Sequence, residues 1–171
     1  MLLEKRKGLR FAAGTAVIGG LAYFLLAAAM PWLQPMTAWL SAVVLGLFGE
    51  AYSQGALVFF GALSVQVIPL CVGDIEIAVL AGAILSTEDR AVKDRVLGVG
   101  SAFVFVMAIN ASRIAATMLA WDAWGIGAVE AVHSVLFRTT LVVAIVGFYA
   151  AWYLRDVLAE RFKFHELLKE R

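Results

Sequence analysis

The chain has little of what a water-facing protein needs. Only 16% of its 171 residues are charged, against about a quarter in a soluble domain, so a soluble globular enzyme is excluded first. There is one cysteine, Cys71, and hence no intrachain disulfide framework. Three prolines and 15 glycines without a period exclude collagen-like and Pro-rich disordered chains. Metal chemistry is poorly served by two histidines, His133 and His165, with no HExxH and no paired cysteines. No GxSxG supports serine-histidine catalysis, and no glycine-rich strand-to-helix loop offers a phosphate cradle. Gly98 and Gly100 fall inside an apolar run and read as helix-packing residues. A net charge of +1 gives no basic field for nucleic acid. Neither a cofactor, a metal nor a nucleic-acid partner is expected.

What is there instead is apolar surface. Hydrophobic residues make up 63% of the chain, which predicts an all-α polytopic membrane protein. Its length allows about six transmembrane or partly re-entrant helices at ~20 residues each. Of the 27 charged residues, 20 lie in three short segments, 1–10, 86–95 and 155–171. Twelve of the fourteen basic residues are among them, and only Arg113 and Arg138 stand elsewhere. Short loops rich in Lys and Arg stay cytoplasmic. All three segments, and with them both termini, are therefore expected inside, and each stretch between them crosses an even number of times.

Residues 96–154 hold two apolar runs, about 96–119 and 130–154, joined by a loop with Trp121, Asp122, Trp124, Gly125 and Gly127. The tryptophans read as interface anchors. Residues 11–30 form a first span that Pro31 and Pro35 are expected to end. The basic start and Ala27-Ala28-Ala29 resemble a signal peptide, but the apolar run is long for one, so a retained span is expected. Three shorter pieces follow, about 36–49, 55–70 and 72–86, the middle two crossing fully or dipping in as a re-entrant pair. Either way the 70–76 corner, with Cys71, faces outside. Residues 155–171 read as a cytoplasmic helical tail on a single integral-membrane domain spanning 1–171.

Ionisable groups inside spans are costly and mark functional sites by default. Arg113 lies about two turns below the outer end of its helix, with Asn110 on the same face. Arg138 lies at a similar depth in the last helix, below His133 and Glu130. Bundle-holding pairs of these arginines with Glu130, Asp74 or Glu76 would explain them without chemistry. Cys71 precedes Val72-Gly73, and the glycine allows close approach of backbone. On this topology Cys71, Arg113 and His133 share one side of the membrane at similar depth. Together they suit thiol acyl transfer. A thiolate attacks a peptide carbonyl, an imidazole moves the protons, and a guanidinium stabilises developing negative charge.

The order Cys71-Val72-Gly73, then Asn110-Ala111-Ser112-Arg113-Ile114, then His133 resembles the exosortase/archaeosortase family of membrane transpeptidases, over about residues 55–150. Asp74 departs from the family's pattern, which has an apolar residue after the Cys-x-Gly. The resemblance implies a cysteine-type peptidase or transpeptidase in a prokaryotic plasma membrane, multi-pass, with its active site facing the exterior. Its partners would be exported proteins ending in a sorting signal: a short motif, a transmembrane helix and a basic tail. The acyl group would pass to an acceptor, a membrane lipid being one candidate. By position, Cys71 would be the nucleophile, Arg113 the oxyanion-stabilising group and His133 the acid/base. Asn110, Arg138, Glu130 and Gly73 would support them. Two other classes compete. A small transport or channel subunit would use Arg113 and Arg138 to line an anion path and tolerate Cys71→Ala. A non-catalytic assembly factor would lose folding, not turnover, when Arg113 is replaced.

Overall fold

A computed structural model of the chain describes residues 2–127, 129–130, 135 and 142–155. Helix α1 runs Leu2–Leu45, followed by a three-stranded antiparallel sheet of β1 (Ala51–Gln54), β2 (Leu57–Phe60) and β3 (Leu63–Gln66). A short 3-10 turn, Pro69–Cys71, leads into α2 (Asp74–Leu85). The 33-residue α3 (Val92–Trp124) follows. Residues 142–155 are helical and form α4, with a π-helical turn over Val143–Gly147.

The expected break at Pro31 and Pro35 does not occur. Both prolines lie inside α1. At ~1.5 Å per residue its 44 residues reach about 66 Å, twice the ~30 Å hydrocarbon thickness of a bilayer. Each proline removes one backbone donor, a loss that helices in apolar surroundings tolerate when neighbours pack against them. Such packing is present here. Met30, Leu33, Thr37, Ala38, Ser41, Ala42 and Leu45 are buried, a stripe at three- and four-residue steps along one face. Thr37 and Ser41 donate their hydroxyls to Leu33 O and Thr37 O at 2.8 Å, which hides their polarity within the helix. Below Met30 the helix is largely exposed, as a lipid-facing surface would be.

The sheet fills the place where a second and third helical pass were expected. Residues 36–45 continue α1, and residues 51–66 are strands. The reason lies in two Gly-Ala pairs. Gly55 and Gly61 have φ of +57° and +55°, and no other residue type has positive φ among the described residues. Each Gly-Ala pair therefore makes a two-residue turn with the glycine first, the type II′ geometry that matches strand twist. The register Ala51↔Phe60 and Val58↔Val65 puts Val58, Phe60, Leu63 and Val65 on the face toward the helices. Tyr52 and Phe59 stack on the opposite face, centroids 4.6 Å apart. Gln34 of α1 donates its amide to Val67 O at 2.8 Å, fixing the end of the sheet to the helix. Residues 11–85 thus contain two helices, α1 and α2, in place of the four expected pieces. The 96–119 run also extends further than expected: α3 includes Trp121 and Trp124 and ends where Gly125 turns to φ +77°.

Close glycine contacts hold the helices together. A Cβ added at Gly82 would sit 2.5 Å from Thr15 O, and one at Gly98 would sit 2.5 Å from the indole nitrogen of Trp152. The α1–α2 contact is therefore backbone-close, as small residues permit in membrane bundles, while Gly98 of α3 makes room for the Trp152 ring of α4.

Candidate active site

The corner after the sheet is built by one glycine and one asparagine. Gly73 has φ +82°, a conformation that side chains rarely adopt, and it precedes α2 directly. It is buried against α3: a Cβ there would lie 2.1 Å from Asn110 Nδ2 and 2.7 Å from Val106 Cγ1. The close approach expected at this glycine is made by Asn110, whose amide takes the space a Cβ would fill. The Asn110 amide donates to Val106 O at 3.1 Å and, at a longer 3.5 Å, to Val72 O. The side chain is fully buried, so this contact spans the interior from α3 to the Cys71-Val72-Gly73 turn.

Cys71 closes the 3-10 turn, with its amide donating to Ile68 O at 2.8 Å, and its thiol is half-buried. Arg113, one turn beyond Asn110 on α3, is buried with 4% of its surface exposed. Cys71 and Glu76 both lie within electrostatic range of its guanidinium. Glu76 itself is 5% exposed, and Asp74 7%. A buried cation and a buried carboxylate are costly unless they compensate each other, and Glu76 lies in electrostatic range of Arg113. Asp74 Oδ1 also accepts the Ile75 N–H at 3.0 Å in the first turn of α2, where the helix dipole favours an anion. That local role accounts for an aspartate after the Cys-x-Gly.

Of the expected residues, Asn110 therefore touches the Val72-Gly73 corner, and Arg113, one turn on, lies within electrostatic range of Cys71. Glu130 is exposed on a helical turn. His133 and Arg138 lie outside the described residues. Sequence reasoning named Glu76 only as a partner for an arginine, and it did not single out the Val72 carbonyl. Two acids at 74 and 76 within an apolar run were the available signal for the first, while nothing in the sequence marked the second.

The opposite end of the bundle is polar in another way. Arg95 donates to Leu85 O at 2.9 Å, capping α2 with a cation. Thr87 and Tyr149 hydroxyls are 3.0 Å apart, and Tyr153 donates to Asp89 at 2.8 Å. Arg90 lies over the Tyr153 ring and donates to its backbone oxygen. An open cavity of about 440 Å³ is found here, lined by Lys7, Phe11, Ser86, Glu88, Asp89 and Tyr149 among others, far from Cys71. These contacts organise the charged turn, and none of the groups includes a nucleophile with an acid/base partner.

The transmembrane exosortase family model (Exosortase_EpsH) matches residues 6–150, most of the chain and more than the 55–150 over which the motifs were recognised. Neither a curated protein nor a solved structure matches. Among the described residues, two helices, α1 and α3, are long and apolar enough to cross a membrane. The chain is a membrane protein and belongs to the transmembrane exosortases, a family of membrane cysteine peptidases and transpeptidases.

Proposed function

We propose that the protein is a cysteine transpeptidase that cleaves C-terminal sorting signals of exported proteins at the outer face of a prokaryotic plasma membrane. The three basic segments would lie inside, and the whole chain would act as one domain with a cytoplasmic tail. The substrate would be a motif followed by a transmembrane helix and a basic tail. One observation carries this reading. The buried Arg113 of α3 lies within electrostatic range of Cys71, 42 positions away in sequence and on a different element. The Asn110 bond to Val72 O supports it, because it fixes the turn that presents the thiol.

The chemistry follows from the groups. The Cys71 thiolate attacks the scissile carbonyl carbon, and the oxyanion forms beside the Arg113 guanidinium. The C–N bond then breaks, and the leaving amine takes a proton from His133, leaving a thioester on Cys71. An acceptor nucleophile, deprotonated by His133, attacks the thioester carbonyl. The C–S bond breaks and the thiolate returns. A lipid amine or hydroxyl fits the acceptor role at this location.

The test is a pair of variants, Cys71→Ser and Cys71→Ala, in the native host. Exported proteins carrying a C-terminal apolar helix and basic tail are followed by size and by anchoring. Accumulation of uncleaved precursor, with the variant present in the membrane at normal level, is the expected result. Unchanged processing would mean that Cys71 only packs, and the transpeptidase reading falls.

A further inference from the structure

We infer that the free edge of β3 is the binding site for an extended segment of the peptide substrate, which joins the sheet as a fourth strand and is led by it to Cys71. The inference rests on the thiol chemistry proposed for Cys71. Its basis is the hydrogen-bond phase of the sheet. In a two-residue hairpin the residues flanking the turn form a hydrogen-bonded pair, and such pairs recur at every second position. The register Phe60↔Leu63 and Val58↔Val65 therefore commits the N–H and C=O groups of Leu63 and Val65 to β2. The series continues with Val67 N donating to Ala56 O at 2.8 Å. The backbone groups of Ser64 and Gln66 consequently point away from the sheet. Sheet order makes β3 an edge strand, Ser64 and Gln66 are both exposed, and no described backbone group bonds to theirs.

Two donors and two acceptors in a row, at the spacing of a strand, recognise the backbone of another extended peptide. The position of this edge makes the peptide a substrate. β3 runs straight into the turn that carries Cys71, and Ile68 between them is extended, at φ −88° and ψ 164°. Five residues of chain cover at most about 17 Å, so a segment paired with Ser64 and Gln66 lies within about that distance of Cys71. The other edge, β1, offers the same kind of groups at Ser53 but is two strands away from Cys71. Recognition through backbone explains how one site could hold different side chains in a defined register, with pockets needed only at alternate positions.

Proline tests the edge, because it deletes an N–H. At Ser64 or Gln66 that N–H is one the sheet itself does not use, and proline is tolerated at sheet edges. The assay is the accumulation of the same exported precursors in the host. Ser64→Pro and Gln66→Pro are expected to slow processing about tenfold, the loss of roughly one net hydrogen bond. Gln66→Ala should fall much less than Gln66→Pro, and Ser53→Pro on the far edge should process normally. A photoreactive phenylalanine analogue at position 66, in a Cys71→Ala background, is expected to capture the precursor even where a proline variant folds poorly. Equal loss in Gln66→Ala and Gln66→Pro, normal processing in both edge prolines, or capture of a second copy of the chain in place of precursor would each overturn the inference. Each of those leaves the thiol reading intact, provided Cys71→Ala still accumulates precursor. A host in which Cys71→Ala accumulates none overturns both.

Discussion

At the charged turn, Tyr153, Asp89, Arg155 and Asp94 find partners while still open to water; the Arg155–Asp94 pair at 2.8 Å has both side chains more than a third exposed. At the Cys71 corner, Asn110, Arg113, Asp74 and Glu76 are all at least nine-tenths buried and draw together two helices and a turn. Both ends use arginine and aspartate, but the consequences differ. Exposed pairs are screened and contribute between nothing and about 1 kcal/mol. Buried charges cost several kcal/mol to desolvate and persist only where the surroundings fix them in one geometry. The first end is a solvated border, and the second is a site where polarity is held against its cost.

Replacing Arg113 breaks this contrast most severely. Arg113→Met leaves Glu76 buried without its cation and is expected to lower stability by about 3–5 kcal/mol, read as unfolding in detergent. Adding Glu76→Met should restore most of that stability while precursor processing stays abolished. Recovery of processing in the double variant would show that Arg113 only holds the bundle together. Next comes Gly73→Ala. Its φ of +82° and the 2.1 Å approach of Asn110 predict a loss of about 2–3 kcal/mol from strain and overpacking. Processing should fall with it, because the Cys71 turn must move. Gly82→Ala meets the Thr15 carbonyl at 2.5 Å, and should cost about 1–3 kcal/mol by parting α1 from α2. Processing per folded molecule should change less than in Gly73→Ala. The smallest effect is expected from Arg155→Ala, under about 0.5 kcal/mol for so exposed a pair, with processing unchanged. A large loss there would make the charged turn a structural centre and erase the comparison.

The arrangement of Lys and Arg was enough to group Cys71 with Arg113 before any coordinates. Asn110 followed from its three-residue spacing to Arg113, and in the structure it touches Val72 and Gly73 beside Cys71. The sheet was not legible in the same way. Tyr52 to Gln66 is rich in Leu, Val and Phe, and average hydropathy does not distinguish a buried strand from a helical pass. The Gly-Ala pairs at 55–56 and 61–62, six residues apart, were the local signal that strands of four residues alternate with tight turns. α1 misled in the opposite direction. Pro31 and Pro35 normally end helices in water, but here the buried stripe from Met30 to Leu45 outweighs two missing donors. Tertiary packing decided both segments, and tertiary packing is what a single sequence states least directly.

The length of α2 has a consequence for the thiol's surroundings. Its twelve residues rise about 18 Å from the charged turn, short of the ~30 Å needed to traverse a hydrocarbon layer. Cys71, just before its first turn, is therefore about one short helix away from the charged turn, with the sheet preceding it in the chain. Among the buried side chains of that corner the effective dielectric constant is a fraction of that of water, and a charge pair at fixed separation interacts several times more strongly. The half-length helix thus acts as a spacer: it holds the Cys71 turn, with the buried Arg113 in electrostatic range, away from the solvated charges at its other end.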